Sequence, residues 1–271
     1  MRRLRANGRW RWAAPFIAAI LGASCVSAPV DPGDAARQAL APTGKLRVGL
    51  YPGSPGSTIR DPASGEWRGV GYELGRELAR RLGVPFEPVI LQATPQILEA
   101  LKSGAIDMAF AGATAARAKD MDFTAPYLEV EDGFLVPAGS AIAAPEDIDR
   151  AGVRLGVIRG STSDSGFSHE LKHAAVVRAG SIDDAIALLS SRSADAFATN
   201  KANLFEMSDK LAGSRVLDGR YRIEQYAIAI AKGSGAGLAF ANGFVVEAKA
   251  EGLVRSAVQR AGLRGVVKDP R

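Results

Sequence analysis

The chain has 271 residues, 47% hydrophobic and 23% charged, with a formal charge of +5 and a single cysteine. Arg2, Arg3, Arg5, Arg9 and Arg11 precede residue 25 with no acid among them, and the remainder balances at 29 basic against 29 acidic residues. A neutral body offers no electrostatic footprint for a phosphate backbone, which argues against a nucleic-acid partner, and a lone cysteine excludes an internal disulfide.

The arginines open MRRLRANGRWRW, a basic segment followed by the apolar run AAPFIAAILGAS. Together they have the form of a secretory signal over residues 1–24; the apolar run is short of the roughly 20 residues that span a bilayer. Cys25 closes the segment in LGASC, which resembles the lipobox of bacterial lipoproteins, where the cysteine is acylated. Gly22 departs from that pattern, and ordinary cleavage near Ser27-Ala28 is the alternative. Residues 25–44 are rich in Pro, Ala and Gly without a sustained apolar period and read as a flexible tether. Folded structure is expected from about Lys45.

LRVGLY at Leu46–Tyr51 has the near-continuous apolar character of a parallel strand buried on both faces. GYELGRELARRLG places Leu74, Leu78, Ala79 and Leu82 on one helical face, and Gly83 stops that helix. VPFEPVIL reads as a strand, Thr94 as the cap of a helix with Pro95 at its first position, and IDMAFAG as the next strand. The same order returns later. VRLGVI is a strand, SDSGFSHELKH a helix entered through Gly160-Ser161-Thr162, and AAVVRAG a strand. Ser181 and Asp184 form a capping box for DDAIALLSS, and ADAFAT closes the series.

The repetition reaches the residue level. LRVGLYPGS at Leu46–Ser54 is echoed by VRLGVIRGS at Val153–Ser161, and ILEALKSGAIDMAF at Ile97–Phe110 by IALLSSRSADAFAT at Ile186–Thr199. Two similar α/β lobes with right-handed crossovers follow from this order. DGFLVPAG and QYAIAIAKG read as segments crossing between them, with the C-terminal helices returning to the first lobe. The boundaries are then 45–134 and 229–271 for lobe 1, and 135–228 for lobe 2.

GKLRVGLY, GVGYELGRELARRLGV, ALKSGAIDMAF, TAARAKDMDFTAPY, GVRLGVIRGST and YAIAIAKG together resemble, in order, the phrases of bacterial family 3 extracellular solute-binding proteins. The resemblance spans essentially all of Lys45–Arg271, and TAARAKDMDFTAPY carries it most specifically. It implies a type II periplasmic-binding fold, two Rossmann-like lobes joined by two crossing strands, closing over a small ligand. It further implies a periplasmic, monomeric receptor without a cofactor or catalytic residues, which hands its ligand to an ABC permease at the inner membrane.

Ligands of open α/β sheets sit beyond the carboxyl ends of the strands, at helix N-termini. Tyr51 ends the first strand, where it either flanks a ligand or is a plain loop tyrosine. Arg117 follows IDMAFAG by one short loop and matches the family's carboxylate-binding arginine, its planar fork suiting a carboxylate in a way that Lys cannot reproduce; the alternative is a surface pair with Asp120 or Asp122. Ala113 lies in the intervening loop, which looks shorter than the family's form and supplies backbone donors near Arg117. Gly160, Ser161 and Thr162 present amides at a helix start, an anion site facing Arg117 or else a simple cap. The family usually ends the strand matching ADAFATN with an acid that pairs the ligand's ammonium. Asn200 stands there instead, so an amino-acid-like solute leads a wider class of polar or anionic ligands.

Two enzyme readings compete. His169 and His173 spell HELKH, the H-E-x-x-H pattern that on a helix can hold zinc with Glu170 as base and Glu206 as a third ligand by distance only. Lys172 inside the motif and the strand that begins directly after His173 oppose it. Cyclohexadienyl dehydratases also resemble these receptors, but no residue here nominates their catalytic acid.

Overall fold

The apolar runs of the two echoes, Leu46–Leu50 and Arg154–Ile158, each fold as the middle strand of a parallel triad, buried as their composition requires. The computed structural model describes residues 32–52, 54, 56–61 and 64–267; the signal segment 1–24 and Cys25 lie outside them. The first stretch runs α1 (Pro32–Leu40), β1 (Leu46–Leu50), β2 (Ile59–Arg60), β3 (Trp67–Arg68), α2 (Val70–Leu82), β4 (Phe86–Ile90), α3 (Thr94–Lys102), β5 (Met108–Gly112), β6 (Met121–Phe123) and β7 (Leu128–Val136). The second runs β8 (Arg154–Ile158), α4 (Thr162–Glu170), β9 (Ala175–Ala179), α5 (Ile182–Ser190), β10 (Ala196–Asn200), α6 (Lys201–Lys210), β11 (Arg215–Val216) and β12 (Arg222–Ala231). Two helices end it, α7 (Gly235–Ala250) and α8 (Leu253–Ala261).

The duplication is written in hydrogen bonds. Arg47, second residue of the first echo, grips Asp107 at the head of β5, through Nε to Oδ2 at 3.0 Å and Nη2 to Oδ1 at 2.6 Å. Arg154 grips Asp195 ahead of β10 in the same fork, at 3.0 and 2.9 Å. In each lobe the arginine's backbone N–H also donates to that aspartate, at 2.8 Å. The glycine at the fourth position of each echo has its own purpose. A Cβ on Gly49 would stand 2.4 Å from Ile106 Cδ1, and one on Gly156 would stand 2.4 Å from Phe197 Cδ2. Only a residue without a side chain lets these apolar groups lie against the strand.

The ladder does not break between the lobes. Its order is β4-β1-β5-β12-β7-β10-β8-β9, so the triads share one curled sheet through β12 and β7. Residues 128–132 of β7 pair with 222–226 of β12, whereas 132–135 pair with β10. Residues 226–230 of β12 pair with β5. Each crossing strand thus changes partner in mid-length, at Asp132 and Tyr226, two residues before the boundaries read from sequence. The apolar cores remain separate. One in lobe 1 is built on Leu46, Val48, Leu78 and Ile228; lobe 2 has one on Leu155 and Val157 and another on Ile158, Phe197 and Leu204.

The tether expected over 25–44 is corrected from Pro32 onward, where the chain is helical and packed on lobe 1. Ala36 and Leu40, one turn apart, are buried in the lobe 1 core, and Arg37 Nε donates to Leu82 O at 3.0 Å. An apolar pair at i and i+4 is a face too narrow to register as periodicity, yet wide enough to dock a short helix. Helix α3 starts one residue earlier than expected: Ala93 is its cap, and Thr94 is already helical.

At the crossing, Asp132 is fully buried, with Oδ2 accepting from Arg222 Nε at 3.0 Å and Nη2 at 2.8 Å, while Oδ1 has no partner. Burial, then the nearby Glu224 charge, pushes the Asp132 carboxyl up to about 7. The fold therefore retains a proton that the unfolded chain releases near the ordinary carboxylate value. Stability from this group is complete below that value and is lost as pH rises through about 7. Asp132→Asn should accordingly gain in melting temperature relative to the parent between pH 5 and pH 8. A difference that is constant or shrinks across that range would refute the assignment.

Candidate functional site

The carboxyl ends of β1, β5, β8 and β10 converge on one cavity of about 100 Å³ with walls from both lobes. Tyr51, Ser54, Phe110 and Arg117 come from lobe 1; Ile158, Ser161, Thr162, Asn200 and Asn203 come from lobe 2; Glu224 and Tyr226 come from the crossing strand β12. This is where an open parallel sheet leaves backbone amides and loop side chains unshielded by its own helices.

Arg117 lies in a short 3₁₀ turn after β5, and its N–H donates to Thr114 Oγ1 at 3.2 Å. Its guanidinium bridges the lobes, with Nη1 donating to Gly112 O at 2.9 Å and Nη2 to Gly160 O at 3.1 Å. Burial pushes its pKa down, against the opposing pull of Glu224. Thr162 Oγ1 of lobe 2 donates to Glu224 Oε1 at 2.6 Å. Ser54 Oγ donates to Asn203 Oδ1 at 2.8 Å, again across the lobes. Tyr51 packs on lobe 2's core near Ile182, and burial raises its phenol.

Five of the seven residues named from sequence line the cavity: Tyr51, Arg117, Ser161, Thr162 and Asn200. Ala113 and Gly160 do not. The Ala113 amide donates to Gln225 O at 2.8 Å in the sheet margin, so it is spent on strand pairing. The Gly160 amide donates to Asp164 Oδ2 at 2.9 Å and the Ser161 amide to Ile158 O at 3.0 Å. Of the three donors expected at this helix start, only that of Thr162 is uncommitted. Ser161 instead caps α4, its Oγ accepting from Asp164 N at 3.1 Å. Asn200 caps α6, accepting from Asn203 N at 3.0 Å, and its Nδ2 donates to Tyr226 OH at 3.0 Å. Both ends of its amide are therefore occupied.

The HELKH motif does not form a helical ligand pair. Helix α4 ends at Glu170, and Leu171 is extended at φ −70°, ψ 136°. The amides of Lys172, His173 and Ala174 close onto Asp149, holding its carboxylate at about 2. Glu206 faces Arg264. No group of three or more His, Cys, Asp or Glu side chains arranged to hold a metal occurs among the described residues.

Glu224 is the charged site residue that sequence reading missed, along with the polar Ser54, Asn203 and Tyr226. In RIEQYAIAIA, Glu224 alternates with Tyr226, Ile228 and Ile230, so period two puts a carboxylate on the same face as buried isoleucines. An acid in register with a buried stripe was the available signal.

Two lobes, a shared crossing ladder and a largely apolar cavity with a few polar groups from both sides define a class: hinged receptors that enclose a small solute. The family profile of bacterial extracellular solute-binding proteins, family 3, matches residues 46–261, and the chain belongs to that family. It is 28% identical over 182 residues to the ABC transporter glutamine-binding protein GlnH of Bacillus subtilis, an alignment covering 66% of each. It is 29% identical over 200 residues to the L-arginine-binding protein of Pseudomonas aeruginosa, covering 69% of this chain and 76% of that one. Among solved structures it is similar to the ancestral amino acid-binding protein AncCDT-1, a precursor of cyclohexadienyl dehydratase. That likeness has a TM-score of 0.71 and 26% identity, over 81% of this chain and 96% of the other. Among the described residues no helix is long and apolar enough to cross a membrane.

Proposed function

We propose that this protein is the substrate-binding receptor of an ABC importer, capturing a small amino-acid-like solute between its lobes for a membrane permease. One observation carries the reading: a single cavity brings a buried guanidinium, Arg117, against residues of the opposite lobe. A ligand bonded to Arg117 on one side and Thr162 on the other is fully satisfied only when the lobes meet, so binding favours closure. Tyr51, Ser161 and Asn200 shape the remaining wall. The relatives named for glutamine and L-arginine support an amino acid as the ligand class. The receptor acts as a monomer in the periplasm, and Cys25 is the residue whose acylation would tether it there.

The protein is a carrier rather than a catalyst in this reading. A panel of the twenty standard L-amino acids should produce a saturable rise in melting temperature with one or a related few. Mass spectrometry of the small molecule that co-purifies should return the same compound. Turnover of prephenate or arogenate, with no amino acid raising the melting temperature, would assign the dehydratase activity instead.

A further inference from the structure

We infer that Glu224 supplies the counter-charge for the ligand's ammonium group, a role moved from the end of β10 to the crossing strand β12. This rests on the amino-acid-receptor reading and sharpens it. The end of β10 carries Asn200, whose amide is consumed as the cap of α6 and the partner of Tyr226. It brings no charge, and one donor and one acceptor of its amide are already engaged. Two strands away, the Glu224 carboxylate enters the same cavity and is only 8% exposed.

The surroundings are built to seat that carboxylate. A Cβ on Gly112 would stand 2.3 Å from Glu224 Oε1, so the last residue of β5 makes room for it by having no side chain. Thr162 Oγ1 donates to the same oxygen at 2.6 Å from the other lobe. Arg117, the cation in the cavity wall, directs its two Nη atoms to the carbonyls of Gly112 and Gly160. The cavity therefore holds one cation and one anion that do not neutralise each other by direct contact. A buried carboxylate without a cationic partner is costly. A zwitterion with its carboxylate on Arg117 and its ammonium on Glu224 satisfies both groups at once. Because Gly112 of lobe 1 and Thr162 of lobe 2 both abut the Glu224 carboxylate, the ammonium subsite, like the carboxylate subsite, is completed by both lobes.

The test separates charge recognition from general damage to the cleft. The probes are the twenty standard L-amino acids and, for each that binds, the acid lacking its α-ammonium, such as glutaramate for glutamine or 5-guanidinopentanoate for arginine. Calorimetric titration of Glu224→Gln should show amino-acid affinity reduced on the order of 100-fold, with affinity for the des-amino acid unchanged or improved. Adding Asn200→Asp to that variant should recover part of the amino-acid affinity by restoring an acid at the end of β10. If Glu224→Gln weakens both ligands equally, or neither, Glu224 is not the ammonium partner, while the receptor reading stands. If no amino acid binds the parent protein, the receptor reading fails and takes this assignment with it.

Discussion

Arg117→Ala weakens binding of the L-amino acid that raises the parent's melting temperature by on the order of 100-fold or more. The guanidinium is buried in the cavity wall and held by two carbonyls, one from each lobe, at 2.9 and 3.1 Å. Those two bonds fix its plane and leave its remaining N–H groups for a carboxylate, a preorganised fork that loses little entropy on binding. Removing it leaves the incoming carboxylate desolvated without a cation and unties Gly160 from lobe 1. Arg117→Lys should recover little, because a single ammonium cannot bridge two carbonyls and still present parallel donors. Unlike Glu224→Gln, both Arg117 variants should weaken the amino acid and its des-amino counterpart alike. Calorimetric affinities within threefold of the parent would remove Arg117 from the site.

Phe197→Ala should produce the largest loss of stability, about 3–5 kcal/mol, or roughly 10 °C in melting temperature for a domain of this size. Phe197 is fully buried on β10, packed with Leu135, Ile158, Leu189 and Leu204, and its ring lies in the notch left by Gly156. Its removal leaves a void that neighbouring strands cannot close without moving the end of β10. The notch gives a second handle on the same contact. Gly156→Ala alone overpacks the ring and should cost about 1–3 kcal/mol. Introduced after Phe197→Ala, it should cost almost nothing, since the group it strikes is gone. Additive losses, or a melting shift below about 3 °C for Phe197→Ala, would show that the ring does not fill this notch.

Much of this architecture was legible because it is written twice. The repeated Arg and Gly of LRVGLYPGS and VRLGVIRGS mark structural duties, the Arg–Asp fork and the notch, that recur at matching positions. Apolar period and glycine stops located α2 and its end at Gly83, where the chain turns left-handed at φ 73°. What stayed hidden depended on partners distant in sequence. Helix α1 looked like a linker because its stability comes from docking on the C-terminal helix α7, not from its own nine residues. The Ala113, Gly160 and Ser161 amides looked available because residue type says nothing about which carbonyl a backbone N–H will find. Glu224 escaped notice because its strand reads as an apolar crossing, and only the pairing of β12 with β5 brings it over Gly112. The motif HELKH misled for the opposite reason. Its spacing is helical, but Asp149, twenty-four positions before His173, draws three amides out of the helix.

A crystal structure of the protein with the amino acid that most raises its melting temperature tests the central claim most directly. The bound carboxylate should lie within hydrogen-bonding distance of the Arg117 guanidinium while the same molecule touches Thr162 of the other lobe. A ligand seated outside this cavity, or in contact with one lobe alone, would contradict it.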